Sequence, residues 1–144
     1  MHNQTLMNLD QRCAYFGYEM CRHVGDAFKK DGKIDKAKTE NLITKSLGVL
    51  QENGIYAFFL YLAARGSSEA DGAKQLGKHA AALLSEKKIA LLPANAQDIN
   101  AVLTELRRPD GLADNLDDLL LAKQLLEQAL IYARYHAKAV GDGQ

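Results

Sequence analysis

Tryptophan is absent from this chain of 144 residues, and proline occurs only at Pro93 and Pro109. Valine, isoleucine and threonine together number 14. So few β-branched residues argue against an extensive sheet. Cysteine is scarce too: Cys13 and Cys21 stand alone, with no Cys-x-x-Cys pair. Eight residues apart on one predicted helix, their backbones are about 12 Å from each other. A disulfide needs Cα atoms within about 7 Å. The two thiols therefore read as small buried apolar groups, and a reducing compartment suits them. No long apolar run occurs. The longest, IYAFFLYLAA at 55–64, has ten residues, and a bilayer span needs about 20. The opening MHNQTLMNLDQ lacks the apolar centre of a signal peptide. The expectation is a soluble cytoplasmic protein that touches no membrane. Net charge is missing as well, with 18 lysines and arginines against 18 aspartates and glutamates.

What the chain does have is alanine and leucine, 43 together. Both favour helices. The length suits one domain burying roughly 68–70% of its unfolded surface. We expect an all-α fold: a single-domain bundle of about six helices, with residues 1–8 and 140–144 flexible.

Helix one is predicted from about Leu9, capped by Asn8, to Lys30. Leu9, Cys13, Phe16, Met20, Val24 and Phe28 form its apolar stripe, and Gly32 ends it. Helix two starts near Asp35 and stops at the Asn-Gly of 53–54. Helix three, Ile55 to Arg65, is apolar on nearly every side, so we expect its neighbours to surround it at the centre of the bundle. Helix four, capped by Ser67 or Ser68, runs to about Lys87, with Leu76, Ala80, Leu83 and Leu84 facing in. Asn95 caps helix five, which places Asp98 at its third position, and the helix ends before Pro109. Helix six runs from about Leu116 to Ala139, with Asp117 and Asp118 at its positive end and Lys138 at its negative end.

The familiar catalytic patterns are missing or incomplete. GAKQLGKH at 72–79 resembles a phosphate loop, but His79 stands where Ser or Thr should hold magnesium, and no apolar strand precedes it. Glu19, Glu86 and Glu105 are followed three residues later by Arg22, Ile89 and Arg108, so the Glu-x-x-His of di-metal bundles does not occur. His2, His23, His79 and His136 are dispersed, without ligand-like spacing. No catalytic site, metal or cofactor is expected.

Charge is unevenly placed. KKDGKIDKAK at 29–38 holds five lysines, while residues 97–128 hold seven acids and three bases. A basic patch binds phosphates even on a neutral protein. Lys29, Lys30, Lys33, Lys36 and Lys38, with Arg12, Arg22 and Lys45, are the candidate RNA-contacting residues. A solvated helix connection is the other reading of the same knot.

Three stretches resemble one family: LDQRCAYFGYEMC (9–21), LQENGIYAFFLYLAA (50–64) and LEQALIYARYHAKA (126–139). Together and in this order they are similar to the small helical subunit of the Cmr-type, or type III-B, CRISPR effector complex. The resemblance implies a subunit without catalysis of its own. It would stack in copies along the backbone filament, beside the backbone and large subunits, with basic residues facing the duplex of target RNA and guide RNA. The small subunit of the Csm-type complex is a related alternative. A helical adaptor or dimeric regulator, using helix six as its partner surface, is one of another kind.

Overall fold

The apolar stripe of the first helix organises the molecule. In the computed structural model, which describes the backbone of residues 2–139 and the side chains of residues 9–139, α1 spans His2–Ala27. The helix passes through Asn8, which therefore caps nothing. Of the expected loose ends, residues 1 and 140–144 lie outside the described residues. Cys13, Phe16, Met20 and Val24 are buried, and so are Gly17, Cys21 and Gly25 on an adjoining side. Two sides of α1 are thus covered, while Gln11, Tyr15, Tyr18, Arg22 and Asp26 face solvent. It packs against α4 (Ala70–Leu84) and α6 (Leu116–Ala139).

Side-chain contacts give the directions. Cys13 meets Leu125 and Tyr18 meets His136, so α1 and α6 run parallel. Arg12 meets Glu86 and His23 meets His79, so α4 runs antiparallel to α1. α2 (Lys36–Asn53) is antiparallel to α6, with Glu40 beside Lys138 and the Gln51 carbonyl beside Lys123. α3 (Ile55–Ala63) and α5 (Ile99–Arg107) close the remaining side. Among the described residues no helix is long and apolar enough to cross a membrane.

Among the described residues the protein is an all-α bundle of six helices, with one small exception. α1 stops at Ala27, short of the expected Lys30, and the lysine knot folds back as a β-hairpin. β1 (Lys29–Lys30) pairs antiparallel with β2 (Lys33–Ile34), Lys29 opposite Ile34 and Lys30 opposite Lys33. Asp31 and Gly32 turn the corner at φ 56° and 80°. Both values are left-handed, the geometry of the tight hairpin turn that Asp-Gly prefers. A helix continued through the knot would instead stack Lys29 on Lys33 at i,i+4, which like charges disfavour.

α3 is not surrounded. Ile55, Phe58, Phe59 and Leu62 face in, but Tyr56 and Leu60 are exposed. Its outer side is tolerable in water because it is built largely of alanine and tyrosine, and the Tyr56 hydroxyl accepts a bond from Arg107. Three helix ends also move. α4 ends at Leu84, with the Ser85 hydroxyl donating to the Ala81 carbonyl. A short 3-10 turn at Ser67–Glu69 leads into α4, without a side-chain cap. In α5 Asp98 is itself the cap, accepting from the Ala101 amide at 2.8 Å, so Asn95 lies outside the helix. α6 keeps its predicted bounds.

Candidate nucleic-acid interface

The hairpin sets where the cations go. Phe28, at its base, is buried. Its ring lies against Gly72 of α4, where a side chain would collide with it. Lys38 places its ammonium 4.6 Å from the centre of the same ring. Asp35, the second acid of the knot, caps α2 by accepting from the Lys38 amide at 3.0 Å. That leaves Lys30 and Lys33 exposed opposite each other beside the turn, with no ion-pair partner among the described residues. Lys29 pairs with Asp26 at 3.3 Å, both about half exposed, a contact that adds little to stability.

Six of the eight predicted residues meet at this end: Arg22, Lys29, Lys30, Lys33, Lys36 and Lys38. Arg22 is partly committed, donating to Glu19 and His23 at 3.1 Å each. Arg12 and Lys45 do not join them. Arg12 lies ten residues back along α1, about 15 Å away by helix rise. It is held at 2.9 Å by Glu86, and its guanidinium stands over the rings of Tyr15 and Phe16. Its visible work is to tie α1 to α4. Lys45 is exposed nine residues along α2 from Lys36, about 13 Å further down the bundle.

Other residues here escaped the sequence reading. A groove of about 220 Å³ is lined by Tyr18, Cys21, Arg22, Ile34, Lys36 and His136, together with Thr39 and Ala137. Tyr18 and His136 meet edge to face at 5.5 Å. Lys138 stands nearby, paired with Glu40 at 3.4 Å. Tyr18 sits one turn before Arg22 and off the apolar stripe, which was the one available signal. His136 and Lys138 belong to the patch only because α6 runs parallel to α1.

The far end is mixed in charge: Lys87 and Arg108 line one groove with Glu105, Asp110 and Asp118. Asp117 and Asp118 open α6, and Lys138 closes it. Twenty residues of helix separate Asp118 from Lys138, about 30 Å.

Two of the four histidines come together, while the side chain of His2 lies outside the described residues. His23 and His79 stack with ring centroids 4.3 Å apart and planes 27° apart, and Glu19 lies beside His23 at 3.2 Å. The hydrogen bond from Arg22 holds the Glu19 carboxyl below its usual range, while burial pushes His79 below the ordinary imidazole value. Burial also pushes the Cys13 thiol up to about 11, aided by Asp10, and raises Cys21. Neither is poised as a nucleophile. The segment that resembled a phosphate loop lies inside α4, where Gly72 and Gly77 are buried and Lys74 and Lys78 point to solvent.

The chain matches no protein-family model, no curated protein and no solved structure.

Proposed function

We propose that this protein is a non-catalytic subunit of a type III-B CRISPR RNA-guided effector complex, resting its lysine hairpin on the target RNA. The observation that carries the reading is the hairpin itself, with Lys30 and Lys33 exposed and unpaired beside its turn and Lys29 and Lys36 close by. The resemblance of residues 9–21, 50–64 and 126–139 supplies the setting. A subunit that must accept any target touches phosphate and sugar and leaves sequence to the guide. Flexible lysines beside a tight turn suit that task. Cleavage in this reading belongs to neighbouring subunits, and the compartment is the cytoplasm.

The test uses the assembled complex, because one subunit alone contributes few phosphate contacts. RNA affinity is measured against salt for the native subunit and for Lys29→Glu/Lys33→Glu/Lys36→Glu. Each single-strand phosphate neutralised contributes about −0.7 to the logarithmic slope, so the triple variant should flatten it by about 2. An unchanged slope and affinity would sink the assignment. The adaptor reading has one observation in its favour: Leu116, Leu120 and Leu121 are exposed on α6. It predicts that the triple variant is silent, while Leu116→Ser/Leu120→Ser disrupts assembly.

A further inference from the structure

Two antiparallel helices bring three metal-ligating side chains to one point. Glu19 and His23 are one turn apart on α1, and His79 reaches them from α4. One ligand atom from each lies within 4.8 Å of the other two. Hydrogen bonds prepare two of the three. The Gln75 carbonyl can only accept, and it lies 2.9 Å from His79 Nδ1. Nδ1 therefore carries the ring proton, and Nε2 keeps a free lone pair. A metal-bound imidazole commonly donates its other N–H to a backbone carbonyl in this way. Arg22 Nη2, which can only donate, lies 3.1 Å from both His23 Nε2 and Glu19 Oε1. Glu19 Oε1 thus offers a lone pair toward a resident cation, and His23 Nε2, which also lies 3.2 Å from Glu19 Oε1, offers its own in the tautomer protonated at Nδ1.

We infer that Glu19, His23 and His79 form a binding site for one divalent transition cation of the zinc class, with the Arg22 guanidinium as the occupant it displaces. Two imidazoles and one carboxylate suit Zn²⁺, Co²⁺ or Ni²⁺, and are poor ligands for Mg²⁺ or Ca²⁺. Bonds of about 2.0–2.2 Å bring ligand atoms to about 3.4 Å of one another, so the stacked rings of His23 and His79 must part before both lone pairs meet one ion. His23 has room to turn, with a third of its side chain exposed. Arg22 can swing away, since its side chain is 48% exposed. The fourth position stays open to water. Because two ligands come from α1 and one from α4, the bound ion would pin these helices together. The site shares Arg22 with the candidate RNA patch, but its metal binding is measured without RNA.

The experiment uses the full chain carrying His2→Gln, so that the imidazole next to the amino terminus adds no binding. Metal-stripped protein is titrated with Zn²⁺ by calorimetry and with Co²⁺ by visible absorption, and its thermal melting is followed with and without Zn²⁺. The expected result is one ion per chain, the visible bands of a low-symmetry Co²⁺ centre, and a melting point that rises with Zn²⁺. Glu19→Gln and His79→Gln should each weaken binding by about 10-fold or more, and Arg22→Ala should tighten it. His136→Gln should change nothing. Circular dichroism checks that His79→Gln still folds. If it does not, Glu19→Gln and Arg22→Ala, both at partly exposed positions, decide the matter by their opposite signs. No binding to the parent chain would overturn the site, and so would equal affinity in the parent, Glu19→Gln and Arg22→Ala proteins.

Discussion

Gly17 of α1 lies against the backbone of α6 at Ala129. A Cβ placed on Gly17 would stand 2.6 Å from the Ala129 carbonyl oxygen and 2.8 Å from the Tyr132 Cβ. Neither atom can yield without moving a helix. Gly17→Ala should therefore destabilise the protein by about 1–3 kcal/mol in urea unfolding, the usual cost of overpacking. Gly48 supplies the control. It lies within α2 with open space around its missing side chain, so Gly48→Ala should stabilise by about 0.5–1 kcal/mol. Equal effects from the two would mean that the α1–α6 contact is not as close as described.

The hairpin tests geometry apart from charge. Gly32 has φ 80° and nothing within 4 Å of a would-be Cβ. Gly32→Ala thus costs only backbone strain, about 1–2 kcal/mol, confined to the turn. The proposed function predicts weaker RNA affinity in the complex with the salt slope less altered than by charge reversal, since every lysine remains. Global melting should move little. Full RNA affinity in a protein whose Lys29–Ile34 pairing is lost by NMR would show that the lysines work without their turn.

Two aspartates act as caps. Asp35 accepts from the Lys38 amide at 3.0 Å, and Asp98 from the Ala101 amide at 2.8 Å. Asp35→Ala and Asp98→Ala should each cost about 1 kcal/mol of stability. Asp35→Asn and Asp98→Asn should restore most of it, because asparagine caps nearly as well. If alanine and asparagine behave alike, the carboxylates are not capping.

Cys13 links pH to stability at the alkaline end. Its folded value of about 11 lies above the ordinary 9.0, chiefly through burial. The folded chain therefore holds the thiol proton more tightly than the unfolded one. The resulting stability is complete below pH 9 and is lost as pH rises through 11. The stability advantage of the native protein over Cys13→Ala should shrink across that interval. Native Cys13 at pH 8 should carry on the order of 100-fold less thiolate than an ordinary cysteine. Alkylation should accordingly be slow until urea opens the core. Fast labelling of folded protein would contradict the burial.

The sequence by itself determined what acts within a turn or two of helix. The stripe from Cys13 to Val24, the start of α2 near Asp35, the Asn-Gly stop at Asn53–Gly54 and the bounds of α6 are all local, and all stand in the structure. The gathering of five lysines was legible for the same reason. Tertiary structure decided which stripe meets which. It took Arg12 out of the patch by setting Glu86, 74 residues away in sequence, against it. It brought His79 onto His23, and it left one side of α3 in water. Spacing along a chain sets the side of a helix on which a residue stands. The neighbour that side meets depends on how all six helices share a limited supply of apolar surface, and that is settled only when they pack.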